Sequence, residues 1–226
     1  MGYKEFWSNA HPAYSHFKSD MPTWHDYGER VVDLFSDFWS PAIRGKEPAP
    51  RRILEWGCGG GAISHELLRS WVNEVIGVDI SQASLDEASL QMRCGLPSNC
   101  RFTPKLIGEP EDLIDDDDIS EAEIDGIVSV AVFQHFPSKD YTRRVLSVMR
   151  KILKAGGVAL IQVRFDNGNP KYRSKDPSEP YDSPNMFTRC SWGIEVFWRE
   201  LKLAGFGKVL VADIQESDNY AWYICR

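Results

Sequence analysis

The sequence lacks long apolar runs, paired cysteine spacings and an excess of positive charge. No apolar run approaches the ~18 residues that a membrane-spanning helix needs, so we expect no membrane association. The 226-residue chain carries a formal net charge of −7, which disfavours long-range attraction to nucleic acid. The first residues, MGYKEFWSNAHPAYSH, contain no apolar signal core, so we expect a cytoplasmic protein without an export signal.

The five cysteines include no C-x-x-C pair and are odd in number. A disulfide framework or a zinc site is therefore not expected, which agrees with a reducing cytoplasm. The acidic run DDDDISEAE, residues 115–123, is expected to be a solvated loop rather than a metal site. We predict no bound metal.

Strand-like and helix-like segments alternate five times along the chain. The five strands are predicted in RRILEW, which has the pattern of a short buried strand, and in EVIGVDI, CRFTPKL, DGIVSVAVF and VALIQV. The last two strand-like runs, KVLVADI and YAWYIC, are separated by the hairpin-length stretch QESDN. This order predicts an α/β fold, a doubly wound, mainly parallel seven-stranded sheet with a C-terminal antiparallel hairpin.

Two further patterns set the expected boundaries. An apolar face at helical spacing predicts a helix within residues 27–39, formed by Val31, Leu34, Phe35 and Phe38. In the helix after the fourth strand, Ser138 lies near the start and Gly156 is expected to end it. Residues 1–45 are predicted to form a helical lid or cap, and residues 46–226 a single globular domain.

The loop EWGCGGGA follows the first predicted strand and is the main functional signal. Gly57, Gly59 and Ala62 fit the G-x-G-x-x-G/A fingerprint, in which glycines let the backbone approach a ligand closely. Asp79 lies 22 residues beyond Gly57, at the end of the second strand, where its carboxylate can accept hydrogen bonds from both ribose hydroxyls. The glycine loop and Asp79 alone are compatible both with a nicotinamide enzyme and with other enzymes that use nucleoside cofactors.

Three further features favour a cofactor without phosphate. Glu55 precedes the first glycine by two residues, and its carboxylate would repel a pyrophosphate but suits a free ammonium group. The fourth strand continues into VAVFQHFP, the next helix ends in ILKAGGVALI, and the chain closes with a hairpin. In this order, from about Arg51 onward, the motifs resemble those of the class I S-adenosylmethionine-dependent methyltransferases.

The resemblance implies S-adenosylmethionine as the cofactor of the domain at 46–226. It implies that Glu55 organises the loop and the methionine amino group, that Asp79 takes the ribose hydroxyls, and that Ile80 packs on the adenine. The acid at the adenine edge does not align cleanly, so Glu111 and Asp112 both stay open. The implied cofactor-binding set is Glu55, Gly57, Cys58, Gly59, Gly61, Asp79, Ile80, Asp112, Val130 and Gln134.

Methyl transfer requires mainly alignment of the acceptor, and an oxygen acceptor also gains from a general base. His135, directly after the fourth strand, is the candidate base, and Asp166 is a weaker catalytic candidate. The long loop between the fifth strand and the last helix offers Arg164 and Tyr172 for the substrate. The aromatic N-terminal segment offers Trp7 and Tyr14.

The leading hypothesis is methyl transfer to a hydroxyl of a small molecule or saccharide, with no nucleic-acid or membrane partner. The absence of an NPPY-type sequence disfavours amide or adenine N-methylation. One alternative is an NAD-dependent oxidoreductase, which would share the glycine loop and Asp79. A second is a catalytically silent module that keeps the cofactor contacts as structure.

Overall fold

The structure is a computed structural model that describes residues 2–8, 23–43, 52–93, 95–115, 119–181 and 189–226. Its helices are α1 (Tyr3–Ser8), α2 (Thr23–Ile43), α3 (Ala62–Ser70), α4 (Gln82–Gln91), α5 (Asp112–Asp115), α6 (Lys139–Ile152) and α7 (Ile194–Leu203). Its strands are β1 (Arg52–Trp56), β2 (Glu74–Asp79), β3 (Arg101–Leu106), β4 (Ile124–Ser129), β5 (Leu153–Arg164), β6 (Val209–Gln215) and β7 (Tyr220–Cys225). Short 3₁₀ turns occupy Phe133–His135 and Pro170–Tyr172.

The seven strands form one sheet in the order β3-β2-β1-β4-β5-β7-β6. β1 pairs in parallel with β2 and β4, and β2 pairs in parallel with β3. β7 runs antiparallel to both β5 and β6. The predicted mainly parallel sheet with a C-terminal antiparallel hairpin is confirmed. The strand order also places β1, which leads into the glycine loop, beside β4.

The chain divides into two compact units. The first unit comprises Trp7–Ile107 and Ile124–Val128. Its helix α2 packs against α3, where the Phe35 and Trp71 rings meet edge to face and the Trp71 indole N–H donates to Ser36 Oγ at 3.1 Å. Val31 and Phe35 are fully buried, which confirms the helix predicted within residues 27–39.

The second unit comprises Met1–Phe6, Gly108–Glu123 and Ser129–Arg226. Its core contains an aromatic cluster in which Phe197 contacts the rings of Phe133, Trp192 and Tyr223. Helix α6 turns its apolar face inward and begins directly after Ser138, which was predicted near its start. Ser138 is its N-cap, since the hydroxyl oxygen accepts the Tyr141 N–H at 3.1 Å.

The predicted end of α6 at Gly156 is wrong. The helix ends at Ile152, because Leu153 already adopts an extended conformation with φ −75° and ψ 127° and begins β5. Gly156 instead lies within β5 at φ +81°, a left-handed conformation that glycine adopts without strain. A glycine that permits a bend inside a strand carries the same sequence signal as one that terminates a helix.

Candidate functional site

The glycine loop of the first unit turns sharply at the end of β1. Gly57, Gly59 and Gly61 all have positive φ, at 74°, 51° and 84°. The backbone N–H groups of Gly57 and Cys58 both donate to the Val78 carbonyl, at 2.7 and 3.0 Å. The loop is therefore fixed to the end of β2, as a backbone that approaches a ligand requires.

Asp79 ends β2 and joins the loop to the start of α4. Its Oδ2 accepts the Gly59 N–H at 2.9 Å, and its Oδ1 accepts the Ser81 N–H at 2.9 Å. Burial raises the pKa of Asp79, while these backbone N–H groups act in the opposite direction. Each carboxylate oxygen has a second lone pair, so a fixed Asp79 can still accept hydrogen bonds from a diol.

Glu55 lies at the end of β1 with only 3% of its surface exposed. The hydroxyl of Ser64, in the first turn of α3, donates to Glu55 Oε2. Burial raises the pKa of Glu55 to about 8, with a further rise from the nearby negative charge of Asp79. A cation brought beside Glu55 would stabilise its charged form and lower this pKa again.

Two predicted loop residues have packing explanations. A Cβ at Gly61 would lie 2.8 Å from Met92 Cε and 2.9 Å from Ala88 Cβ, so this glycine permits the close approach of α4. The Cys58 Sγ would lie 2.9 Å from a Cβ at Gly77, so the thiol fills the space above that strand residue. Burial also raises the pKa of Cys58 well above its usual range, which opposes thiolate chemistry.

Ile80 follows Asp79 and is half-buried. Its carbonyl accepts the hydroxyl of Ser8, the last residue of α1, at 3.5 Å. The end of α1 therefore reaches the loop that was predicted to meet the adenine. Trp7, predicted to contact substrate, is half-buried beside Ser8, whereas Tyr14 lies outside the described residues.

In the second unit, the segment after β4 carries local strain and a buried polar group. Ala131 has φ +57°, which is unusual for a residue with a Cβ, and its N–H donates to Gln162 Oε1 at 2.9 Å. Such strain is often found at functional sites. Val130 and Gln134 are both buried, so the structure brings these predicted residues into one short turn.

A buried polar network connects Gln134 with Arg164. The Gln134 amide nitrogen donates to the Tyr220 hydroxyl oxygen at 3.1 Å, and Arg164 Nη2 donates to the same oxygen at 2.6 Å. Arg164 also lies over the Tyr172 ring, at 5.5 Å from its centroid. Tyr220 was not predicted, because nothing in the residues around the start of the last strand distinguishes it from an ordinary core tyrosine.

The network leaves two buried atoms without a hydrogen-bond partner among the described residues, Gln134 Oε1 and Arg164 Nε. His135 Nε2 lies 3.3 Å from the Gln134 amide nitrogen. The His135 carbonyl accepts the Tyr181 hydroxyl. The candidate base thus lies beside one predicted cofactor residue, Gln134, which the Tyr220 hydroxyl connects to the predicted substrate residue Arg164.

The other acids that were predicted for the site form local hydrogen bonds or an ion pair. Asp166 Oδ1 accepts the Gly168 N–H at 2.8 Å and closes a turn of the long loop. Asp112 Oδ2 accepts the N–H groups of Gly108 and Glu109, at 2.8 and 2.7 Å. Glu111 forms an exposed ion pair with Arg144. Their roles toward a cofactor or acceptor stay predictions.

Two further features of the described residues concern metal binding and membrane insertion. No cluster of three or more His, Cys, Asp or Glu side chains in these ranges is arranged to hold a metal ion. Within the same part of the chain, no helix combines the length and the apolar character needed to cross a bilayer.

Comparison with known proteins gives one domain match and one curated relative. Residues 53–157 match the family model described as a methyltransferase domain. The ubiquinone biosynthesis O-methyltransferase of Alkalilimnicola ehrlichii is 30% identical over 141 residues, which cover 62% of this chain and 51% of the relative. The chain thus spans about half the length of the curated relative it matches.

Solved structures share the fold at low identity. The CcbJ methyltransferase of Streptomyces caelestis superposes with a TM-score of 0.69 at 17% identity, covering 100% of this chain and 99% of that one. A SAM-dependent methyltransferase from Methanosarcina mazei gives 0.61 at 19% identity, covering 82% and 94%. The N-terminal domain of EvdMO1, solved with SAH bound, gives 0.62 at 15% identity, covering 90% and 80%.

Proposed function

We propose that the chain is a class I S-adenosylmethionine-dependent methyltransferase that transfers a methyl group to a hydroxyl of a small molecule or saccharide. Its fold and the match of residues 53–157 to a methyltransferase domain support this proposal. The same findings indicate S-adenosylmethionine as the cofactor. That cofactor supplies a methyl group on a positively charged sulfur and so carries the intrinsic reactivity. The protein's own residues bind the cofactor, orient the acceptor and remove the proton of its hydroxyl.

The observation that carries the proposal is the pair of carboxylates around the glycine loop. Asp79 is fixed by the N–H groups of Gly59 and Ser81, and would hold the two ribose hydroxyls. Glu55 is buried with a raised pKa, and would pair with the methionine ammonium group. The donor set therefore fits a nucleoside cofactor that bears an ammonium group and no phosphate.

The polar network of the second unit supports an oxygen acceptor. Gln134 Oε1 and Arg164 Nε are buried without partners among the described residues, so they offer one acceptor and one donor to a hydroxyl-rich ligand. The Gln134 amide nitrogen lies 3.3 Å from His135 Nε2, so this contact orients the imidazole ring beside the network. We propose that His135 takes the proton of the acceptor hydroxyl.

The comparisons support the same acceptor class. The curated relative at 30% identity is named an O-methyltransferase. The N-terminal domain of EvdMO1, at 15% identity, was also solved in the presence of SAH and D-fucose. Together with the absence of an NPPY-type sequence, these likenesses favour oxygen over nitrogen as the methylated atom.

Two alternatives have distinct signatures. An NAD-dependent oxidoreductase would place a pyrophosphate beside the glycine loop, where buried Glu55 opposes it when ionised. A catalytically silent module would bind S-adenosylmethionine but methylate no acceptor. Cofactor titration separates the first alternative from our proposal, and acceptor screening separates the second.

The first experiment is calorimetric titration of the full chain with S-adenosylmethionine and S-adenosylhomocysteine. Asp79→Ala removes two charge-assisted hydrogen bonds at ~1.5–3 kcal/mol each, so we expect binding to weaken at least about tenfold. Asp86→Ala, which removes an exposed carboxylate from α4, should bind like the native chain. Binding of NADH without binding of either methionine derivative would overturn the proposal.

A further inference from the structure

A pocket of the second unit opens at the N-terminus of α6. Its volume is about 340 Å³, and it is lined by α6 residues and by two segments of the long loop. The basic side chains among its lining residues are Lys139, Arg143, Lys175 and Arg189. None of the predicted cofactor, catalytic or substrate residues lines it, so the proposed methyl-transfer chemistry does not explain it.

Arg189 is the strongest indication of a ligand. It is only 3% exposed, and its Nη2 donates to the carbonyls of Pro177 and Glu179 at 3.1 and 2.6 Å. Its Nε and Nη1 are buried and have no hydrogen-bond partner among the described residues. These two atoms carry three N–H groups of a permanently charged side chain. Burial of such donors is costly unless acceptor oxygens reach them.

The surrounding charges leave the pocket positive. Arg143 is neutralised, because it bonds Asp140 and Glu200, each at 2.7 Å. Asp176 lies near enough to Arg189 to interact electrostatically, but its carboxylate accepts the N–H and hydroxyl of Ser178.

Lys139 and Lys175 remain as further positive charges. Lys139 Nζ lies over the Trp192 ring, 4.8 Å from its centroid, and so stays beside the pocket. The 14-residue helix α6 also directs the positive end of its dipole here. Three cations and a helix N-terminus around one cavity favour an anion.

We propose that this pocket is an oxyanion site that binds a phosphate or carboxylate group through Arg189, Lys175 and Lys139. Its wall is shared with the candidate catalytic turn, because the Cys190 N–H donates to the Gln134 carbonyl at 2.9 Å. Arg189 also lies over the Tyr181 ring, at 5.3 Å, and Tyr181 bonds the His135 carbonyl. This inference rests on the proposed function, in which the natural source of the anion is a charged group of the methyl acceptor.

The test is titration of the full chain with inorganic phosphate, at constant ionic strength maintained with chloride, followed by calorimetry and by the thermal unfolding midpoint. The native chain should show saturable binding and a raised midpoint. Arg189→Gln should weaken phosphate binding at least about tenfold, and Lys175→Gln at least about threefold. Lys208→Gln makes the same charge change at an exposed residue that does not line the pocket, and should match the native chain.

Arg189 also holds the carbonyls of Pro177 and Glu179, so its substitution can disturb the loop. Circular dichroism checks the fold of each variant, and Lys175→Gln and Lys139→Gln, which leave those two bonds intact, test the site independently. Absence of saturable phosphate binding to the native chain, or equal binding by all variants, would overturn the oxyanion site.

Parallel titration with S-adenosylmethionine separates this proposal from the proposed function. Phosphate binding without cofactor binding would support the oxyanion site and reject the methyltransferase proposal, whereas the reverse result would reject only the site. Methyl-transfer assays with neutral and phosphorylated sugars then identify the natural source of the anion. A preference for phosphorylated acceptors that Lys175→Gln removes assigns the anion to the acceptor, and phosphate binding without this preference assigns it to a free anion.

Discussion

At the scale of single residues, the position of His135 is set by its neighbours in the chain and in space. The 3₁₀ turn Phe133–His135 directs Gln134 inward, and the Gln134 amide contacts the His135 ring. Tyr181 holds the His135 carbonyl from the long loop. One contact thus holds the His135 ring and another holds its backbone, and such positioning is what a general base requires.

If His135 removes the acceptor proton, His135→Gln should lower kcat by about 10²-fold or more, with little change in KM. The variant should also lose the acidic limb of the pH–rate profile, because that limb reports protonation of the base. His65→Gln is the matched control, since His65 contacts Glu66 on α3 and has no proposed role in proton transfer. A change confined to KM would show that His135 only positions the acceptor.

At the scale of secondary-structure elements, the glycine loop shows why one motif can have two physical causes. Gly57 and Gly59 allow the backbone to turn above β2, whereas Gly61 is required by the packing of α4. The sequence fingerprint could not separate these causes, because it records only that a side chain is excluded. The strands around it were predictable, since apolar runs are local signals, and Ser138 likewise indicated the start of α6.

Gly61→Ala should destabilise the protein by about 2–3 kcal/mol, since the new Cβ meets both a left-handed backbone at φ +84° and the atoms of Met92 and Ala88. Gly156→Ala isolates the backbone contribution, because Gly156 has φ +81° and no described atom lies within 4 Å of an added Cβ. We expect that control to lose only about 1 kcal/mol. If both variants lose the same free energy of unfolding in urea denaturation, α4 does not pack tightly against the glycine loop.

At the scale of the whole molecule, the sheet was predictable from the chain, but the long-range polar contacts were not. Alternating strands and helices determine a doubly wound sheet, because parallel neighbours need crossover connections. The Tyr220 hydroxyl meets Gln134 and Arg164 across 86 and 56 residues of sequence. Arg189 likewise lines one pocket with α6 residues some 50 positions away. Such partners depend on the register of packed elements, which no local pattern encodes.

Glu55 gives the whole molecule a pH-dependent stability that follows from its pKa. Burial raises that pKa from 4.5 to about 8, so the folded state prefers the protonated form. The stabilisation is complete below pH 4.5 and is lost as the pH rises through 8. At ~1.36 kcal/mol per unit, the full loss is on the order of 5 kcal/mol. The native chain should therefore lose about 2 kcal/mol between pH 6 and pH 8 through this group alone.

Glu55→Gln removes that loss, so the difference in unfolding free energy between variant and native chain should grow in favour of the variant from pH 6 to pH 8. Glu216→Gln, an exposed substitution of the same charge, should show no such trend. Saturating S-adenosylmethionine should reverse the order, because an ammonium group beside Glu55 stabilises its charged form in the native chain alone. A difference in unfolding free energy that does not change with pH would contradict the raised pKa of buried Glu55. A cofactor that stabilises both chains equally would show that its ammonium group binds elsewhere.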